Sequence, residues 1–338
     1  MAASGLLFKI KRKWRSDGAA GFFIAIARKL LTPFKFPIAW LEGVSFATKA
    51  LREQRQANHQ AAFPNEDNLL LSYPKLDFSR TRSAAGKKLL MNIENFRIRG
   101  LREPLLRRSI FQFIQDGVIQ KDKSIIDIGC WIGDNSLPWA KQLTGDAKVY
   151  AVDPSEENID FAQTIAQLNG ITNVAFKREV CSDRGGIDLF FEGKITQARF
   201  NEDGRGKPSG RTSTTLDNVV GSDNWDSIGF IHIDVEGFEQ KVLLGAQNII
   251  EKARPVIVFE QHIAREDPRV IGRWLAAKSY RIYIINEVLR GCNLDCRNYI
   301  AFPSEIELPE FPEPDFATGR SVGIWYAAID RTLVPLSV

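Results

Sequence analysis

The feature that most constrains this chain is an alternation of short apolar runs with amphipathic segments, which begins near residue 124. Runs of strand length occur at SIIDIG, KVYAVD, NVAFKREVCSD, GFIHIDVEG, RPVIVFEQH and YRIYII. Segments with helical spacing lie between them, among them EENIDFAQTIAQLNG, FEQKVLLGAQNIIEKA and PRVIGRWLAAKS. Near-continuous apolar strands separated by amphipathic helices predict an α/β fold, a doubly wound and mostly parallel sheet covered by helices on both faces.

The rest of the chain predicts two parts. We expect residues 1–85 to form a basic N-terminal helical extension and linker, and residues 86–338 to form the α/β domain. At the start of the domain, KLLMNIENFRI is strand-like and PLLRRSIFQFIQDGVI has helical spacing. Residues 192–215 are rich in glycine and polar residues and predict a long loop. Residues 303–315 carry four prolines and predict an extended connection before a last strand, SVGIWYAAI.

Positive charge is concentrated in the N-terminal part. Residues 1–60 hold eleven Lys/Arg against three Asp/Glu, a balance of +8, so the remainder carries −4 of the formal net charge of +4. The interleaved aromatic and basic residues of AAGFFIAIARKLLTPFKFPIAW suit a helix lying on an anionic membrane surface. The same pattern fits helices that pack on the body with a solvated basic face, and both interpretations stay open. We expect no nucleic-acid partner, because no aromatic and basic platform recurs.

The cysteines and the first apolar run bear on location. Cys130, Cys181, Cys292 and Cys296 are too few for a disulfide scaffold, and Cys292-x-x-x-Cys296 lacks a second pair for a zinc site. We therefore interpret all four as reduced thiols of a cytoplasmic protein, with peripheral contact at the inner face of the membrane as an extension of that hypothesis. Residues 19–27 form an apolar run of about half the length of a membrane span.

Two strand ends suggest a nucleoside site. Asp127, Gly129 and Gly133 lie where the first predicted strand meets its helix, so the backbone can approach a ligand there. The spacing differs from the dinucleotide fingerprint, and an ordinary turn is the alternative. Asp153 ends the second strand, where a carboxylate can accept both ribose hydroxyls. A nucleoside without pyrophosphate, such as S-adenosylmethionine (SAM), suits this pair of strand ends.

Polar residues also end the fourth and fifth strands. Asp234 and Glu236 follow one strand, and Glu260 and His262 end the next. Helix capping accounts for part of this cluster. His262 is a candidate general base near pH 7, although a lone histidine is often structural. Alternatively, Asp234 and Glu260 could hold a divalent cation that lowers the pKa of a hydroxyl, so the metal ligands, if any, stay open.

Several ordered blocks resemble the FkbM family of SAM-dependent methyltransferases across about residues 86–330. They are IIDIGCWIGDNS, AVDPSEEN, REVCSDRGGIDLFF with TTLDNVV, IHIDVEGFEQKVLLGA and RPVIVFEQH. The resemblance implies a class I methyltransferase fold, which is Rossmann-like, and methyl transfer to hydroxyl groups of sugars, glycans or related metabolites. One departure is Cys130-Trp131, where the family usually has a small residue followed by Asn.

The resemblance also implies roles for individual residues. Those expected to bind SAM are Asp127, Gly129, Gly133, Asn135 and Asp153, with Cys181, Ser182 and Asp183 near the adenine. Those expected to face the transfer site are Asp234, Glu236, Glu260 and His262, of which Asp234 and His262 position and deprotonate the acceptor and Glu260 orients. The leading hypothesis is an O-methyltransferase acting on a glycan, glycolipid or related metabolite. A non-catalytic SAM-binding or interaction module at a membrane surface is the alternative, and the glycine spacing disfavours a nicotinamide-dependent oxidoreductase.

Overall fold

The computed structural model describes residues 71–74, 84–97, 99, 103–192, 199–262, 267–289, 296–308 and 326–336. The predicted N-terminal helices of residues 1–70, Cys292 and most of the predicted connection at 303–315 lie outside these residues. Among the described helices, none is long and apolar enough to cross a membrane.

The secondary structure follows the predicted alternation. The helices are α1 (Ala84–Arg97), α2 (Pro104–Gln115), α3 (Ser136–Ala140), α4 (Glu156–Leu168), α5 (Leu216–Val220), α6 (Glu239–Leu244), α7 (Gln247–Ala253) and α8 (Pro268–Ala276), with a 3-10 helix at Ser222–Ser227. The strands are β1 (Ser124–Ile128), β2 (Val149–Val152), β3 (Val174–Lys177), β4 (Asp188–Glu192), β5 (Arg199–Asn201), β6 (Lys207–Thr212), β7 (Ile228–Ile233), β8 (Val256–His262), β9 (Tyr280–Leu289), β10 (Cys296–Pro303) and β11 (Tyr326–Pro335).

Eight strands form one sheet in the order β11-β9-β10-β8-β7-β1-β2-β3. The strands from β3 across to β8 pair in parallel, whereas β10 is antiparallel to both β8 and β9, and β11 is antiparallel to β9. The predicted mostly parallel sheet is confirmed. Since β2, β1, β7 and β8 are adjacent and parallel, their carboxyl ends meet at one edge, where ligands bind in open α/β sheets.

The sheet is covered on both faces. Alternate residues of β1 point to opposite sides, so that Ile125 joins one buried cluster and Ile126 and Ile128 join the other. The first cluster contains side chains of α1 to α4, and the second contains side chains of α5 to α8. The doubly wound arrangement predicted from the apolar runs is therefore confirmed.

The prediction of a strand at KLLMNIENFRI was wrong, because these residues belong to helix α1. Leu90, Ile93 and Phe96 recur at intervals of three and bury one face, while Leu89 and Met91 remain exposed. The segment has no proline or β-branched run to interrupt a helix. Here the helical period of the buried positions outweighs the short apolar run that suggested a strand.

The prediction of a long loop at residues 192–215 was also wrong in part. Strands β5 and β6 pair antiparallel with β4 in a separate three-stranded sheet, although residues 193–198 lie outside the described part. Asn201 holds the turn between β5 and β6: its side chain bonds to the backbone of Asp203 and Arg205. Polar residues that suggested a loop are here the exposed side chains of a small sheet.

The segment FEQKVLLGAQNIIEKA forms two short helices, α6 and α7, rather than one. The break falls at Gly245, where a Cβ atom would lie 2.1 Å from the backbone oxygen of Ser182. This close approach brings the loop after β3 against the end of α6. It also explains the glycine in physical terms, since any side chain would displace one of the two segments.

Candidate active site

The structure brings the predicted polar strand ends to one edge of the sheet. Gly129 follows β1, Asp153 follows β2, Asp234 follows β7, and Glu260 and His262 end β8. The turn after β1 therefore lies between Asp153 on one side and Asp234 on the other, and β8 lies one strand beyond Asp234. The contacts of each residue show which of them serve the fold and which remain available for chemistry.

The turn after β1 packs closely against its neighbours. Gly129 has a φ of 79°, and a Cβ atom there would lie 1.8 Å from the backbone oxygen of Asp234. Gly133 has a φ of 74°, and its Cβ would meet the side chains of Ala162 and Leu137 at 3.0 and 3.3 Å. Both positions therefore require glycine for the conformation and for close packing. Their direct contact with a ligand stays a prediction.

Trp131, the departure from the family pattern, also adopts a positive φ of 46°. Its side chain is half-buried and packs against the first core cluster, and its backbone N–H donates to Asp153 Oδ2 at 3.1 Å. Trp131 thus ties the turn after β1 to the end of β2.

Asp127 lies in a buried network that sequence reasoning missed. One of its oxygens accepts a hydrogen bond from the hydroxyl of Ser136, and the other lies 2.8 Å from Nδ1 of His232. His232 is the direct partner of Asp127 across β1 and β7, and both are almost fully buried. The sequence did carry a signal for this contact, because Asp127 and His232 are each a polar residue inside an apolar strand, and they lie opposite each other. The network fixes the strand ends, and contact of Asp127 with the cofactor stays a prediction.

Asp153 accepts three hydrogen bonds within the protein. Oδ1 accepts from the backbone N–H of Ser155 at 2.8 Å and from Asn158 Nδ2 at 3.1 Å, and Oδ2 accepts from Trp131. Burial raises the pKa of Asp153 to about 6, because it outweighs these hydrogen bonds. A carboxylate can accept about four hydrogen bonds, so one position remains for a hydroxyl donor.

A buried ion pair holds the turn from the opposite side. Arg107 of α2 donates to Asp134 Oδ2 at 2.6 Å and to the Asp134 backbone oxygen at 2.8 Å, and both side chains are buried. Neither residue was predicted, since nothing in their spacing connects helix α2 with this turn. Next to it, Asn135 is buried and its Oδ1 has no hydrogen-bond partner among the described residues. Asn135 therefore offers an unused acceptor beside the turn.

The turn after β1 lies in a negative electrostatic environment. The pKa of the Cys130 thiol is raised well above its ordinary value, first by burial and then by the charges of Asp127, Asp153 and Asp134. The thiol therefore stays protonated at neutral pH, and a cationic ligand would be favoured at this place. Among the described cysteines, Cys130, Cys181 and Cys296 form no disulfide.

Ser182 and Asp183, predicted near the adenine, follow β3. Ser182 is fully buried, and its hydroxyl lies 2.5 Å from Glu202 Oε1 and 3.1 Å from Asp183 Oδ1. Glu202 in turn accepts from Lys241 of α6 at 2.5 Å. These contacts join the end of β5 to helix α6 and to the loop after β3. The contact of Ser182 and Asp183 with adenine stays a prediction.

The turn after β7 is organised by Glu239. Its Oε1 accepts from the backbone N–H groups of Val235 and Gly237 at 3.2 and 3.1 Å, and the side chain is buried. Glu239 thus holds the turn before α6 and does not cap the helix, because the N-cap residue is Phe238, which makes no side-chain cap hydrogen bond. Glu236 adopts a φ of 56° at the tip of the turn, and its exposed carboxylate reaches His262. Asp234 is half-buried between this turn and Gly129.

Glu260 and His262 form a compact group with Cys296, which the sequence predicted only as a reduced thiol. His262 Nε2 lies 3.2 Å from Glu236 Oε2, and His262 Nδ1 lies 3.5 Å from Cys296 Sγ. The strand β10 brings Cys296 to this edge because it runs antiparallel to β8, with Cys296 directly opposite His262. The sequence could not reveal the pairing, since 33 residues and two elements separate the two positions.

The sheet order, with the antiparallel strand β10 inserted between β8 and β9, and the glycine turn after β1 define a class I methyltransferase domain. The family comparison agrees. Residues 127–282 match the family model of the methyltransferase FkbM domain. The predicted family, fold and cofactor are confirmed: this is a SAM-dependent methyltransferase domain.

Solved structures with similar folds include three methyltransferases. Methyltransferase FkbM from Methylobacillus flagellatus KT has 13% identity and a TM-score of 0.41, with 64% of this chain and 60% of that chain covered. A SAM-dependent methyltransferase from Aquifex aeolicus has 14% identity and a TM-score of 0.36, with 65% and 98% covered. Magnesium protoporphyrin IX methyltransferase from Synechocystis PCC 6803, with bound SAM, has 13% identity and a TM-score of 0.32, with 68% and 86% covered. The chain thus spans less than two thirds of the first of these proteins, and no curated protein matches it significantly in sequence.

The residues around the turn fit SAM. Asp153 retains one acceptor position, and Asn135 Oδ1 is a buried acceptor without a partner among the described residues. The ribose hydroxyls and the ammonium group of SAM are donors that match such acceptors. The negative surroundings of Cys130 suit a ligand that carries a sulfonium and an ammonium charge.

Proposed function

We propose that this chain is a SAM-dependent O-methyltransferase that acts on a hydroxyl group of a sugar, glycan, glycolipid or related metabolite. The observation that carries the proposal is the position of Asp234. It lies directly between the glycine turn after β1 and the polar end of β8, with its own backbone against Gly129. An acceptor held by β8 would therefore meet the cofactor beside this carboxylate.

SAM supplies a methyl group that its sulfonium already activates. The remaining task of the protein is to hold a hydroxyl in line with that carbon and to take its proton. We assign proton acceptance to Asp234: its carboxylate would take the proton of the acceptor hydroxyl as the methyl group passes from sulfur to that oxygen, and the sulfur would leave as the neutral thioether of S-adenosylhomocysteine. Asp153 and Asn135 would hold the ribose and the ammonium group of the cofactor.

His262 and Glu260 would bind the acceptor. Nε2 of His262 is engaged with Glu236 and its Nδ1 faces Cys296, so the ring is oriented by partners on both sides. Carboxylate and imidazole groups suit an acceptor rich in hydroxyl groups, because each can accept a hydrogen bond from one of them. This feature favours a sugar-like substrate.

The first experiment measures SAM binding by calorimetry, with Asp153→Ala as the variant and NADH as the control ligand. We expect the wild type to bind SAM and the variant to bind SAM at least tenfold more weakly. Neither protein should bind NADH. Absence of SAM binding by folded wild-type protein would contradict the cofactor assignment.

The second step is a screen of hydroxylated acceptors, with methyl transfer followed by mass spectrometry. Asp234→Asn should lower kcat by about 10²–10⁴-fold with little effect on SAM affinity, because it removes only the proton acceptor. Asp146→Asn, at an exposed carboxylate before β2, is the matched control. SAM binding without transfer to any acceptor would instead favour the non-catalytic module.

A further inference from the structure

We propose that Glu260, His262 and Cys296 form a binding site for a divalent transition metal ion of the zinc type. One carboxylate oxygen, one imidazole nitrogen and the thiol sulfur of these residues all lie within 4.8 Å of one another. Carboxylate, imidazole and thiolate are the three ligand types that zinc prefers, and three protein ligands are typical of catalytic zinc sites that keep an open position. The metal site itself does not depend on the proposed function.

The backbone arranges the three ligands in advance. Cys296 is directly opposite His262 in the antiparallel ladder of β8 and β10, and opposite residues place their side chains on the same face. Glu260 is two residues before His262 and so lies on that face as well. Ligands carried by paired strands need little rearrangement to bind an ion.

The spacing of sulfur and nitrogen fits a shared metal. Metal–sulfur and metal–nitrogen bonds of about 2.3 and 2.0 Å at a tetrahedral angle place the two ligand atoms about 3.5 Å apart. Cys296 Sγ lies 3.5 Å from His262 Nδ1 and 3.9 Å from Nε2. Nδ1 is therefore the nitrogen that would bind the ion.

Two neighbours complete the site. Nε2 of His262 lies 3.2 Å from Glu236, and metal-bound histidines usually donate their other ring N–H to a carboxylate. Asn298 lies opposite Glu260 on β10 and is buried, and its Oδ1 has no hydrogen-bond partner among the described residues. An amide oxygen at this place could accept a hydrogen bond from water or an acceptor hydroxyl on the ion.

The burial pattern leaves an entry path. Cys296 is fully buried, whereas the His262 side chain is 15% exposed and Glu260 is half-buried. The ion would therefore enter from the solvent side of the sheet edge and keep one position open. An acceptor oxygen in that position would have a lowered pKa, and this role, unlike the site itself, rests on the proposed function.

Cobalt titration of the full chain tests the site, after treatment with a reductant and a chelator. We expect about one Co²⁺ per chain and a thiolate-to-cobalt charge-transfer band in the near ultraviolet, which reports a sulfur ligand. Cys296→Ala should remove the band, and His262→Gln and Glu260→Gln should weaken binding. Cys181→Ala, at another buried thiol, and Cys292→Ala, four residues away, are matched controls that should keep the band.

Glu236→Gln should weaken cobalt binding by about 10–100-fold, because it changes only the partner of His262. Asp153→Ala should lose SAM affinity and keep the band, so failure of the cofactor assignment and failure of the metal site are distinguishable. A folded wild type without the band, or a band that persists in Cys296→Ala, would overturn the proposal. Circular dichroism of each variant checks that the loss of the band is not a loss of fold.

Discussion

Asp153 shows how one side chain can serve both the fold and a ligand. Its oxygens hold the residues that follow it, Ser155 and Asn158, and also the turn after β1 through Trp131. A carboxylate at the end of the second strand predicts a ribose contact from the sequence, but these structural bonds are not visible there. These hydrogen bonds hold the Asp153 carboxylate in a buried position without a ligand.

The raised pKa of Asp153 predicts a specific pH dependence of stability. The folded chain holds this proton up to a pH of about 6, whereas the unfolded chain releases it near 3.8. The contribution of Asp153 to the free energy of unfolding is therefore largest at low pH and falls as pH rises between these values, by about 3 kcal/mol. The side chain of the Asp153→Asn variant cannot titrate, so its free energy of unfolding lacks this decline with pH.

Chemical denaturation at several pH values measures the effect in the absence of SAM. Subtracting the free energy of unfolding of the wild type from that of Asp153→Asn cancels the other titrating groups. The difference should grow in favour of the variant from pH 4 to pH 6 and level off above. A difference that is constant across this range would contradict burial as the dominant influence on Asp153.

At the scale of elements, helix α2 holds the turn after β1 through the ion pair of Arg107 with Asp134. Both side chains are nearly inaccessible, at 5% and 8% exposure, so the pair is a buried one. Removing a single partner of such a pair leaves an uncompensated buried charge. Arg107→Met should therefore destabilise the protein by about 3–5 kcal/mol in urea unfolding.

The double variant Arg107→Met with Asp134→Asn supplies the control, since it removes both charges. It should recover much of the lost stability, and Arg178→Met, which breaks ion pairs of a more exposed arginine, should cost far less. If the single and double variants are equally unstable, the loss comes from packing of the arginine stem rather than from charge.

The order of elements was predictable from the sequence because each parallel strand carries its own apolar run. Helix α1 and strands β5 and β6 were not, since short apolar or polar segments fit more than one period until tertiary contacts select one. The polar residues at the strand ends were predictable as well, because each of them directly follows or ends an apolar run. The contacts of His232 with Asp127 and of Cys296 with His262 were not predicted, because they depend on pairing between strands distant in sequence.

At the scale of the whole molecule, the charge is divided between an N-terminal part of +8 over residues 1–60 and a remainder of −4. The structure of residues 1–60 lies outside the described residues, so the sequence alone supports a proposal about them. We propose that residues 1–60 bring the domain to an anionic membrane surface. An acceptor carried by a glycolipid would then be held near the enzyme.

Vesicle sedimentation with the full chain tests this proposal. The chain should bind vesicles that contain phosphatidylserine much more tightly than neutral phosphatidylcholine vesicles, and added salt should weaken the binding. Each basic residue near the surface contributes about 1 kcal/mol, so replacing Arg12, Lys13 and Arg15 with glutamate should weaken partitioning by more than about a hundredfold. The same replacements at Arg178, Arg184 and Arg211, in the catalytic domain, are the matched control. Equal binding to neutral and anionic vesicles, or an equal loss in the control, would show that the basic N-terminal residues are a solvated face instead.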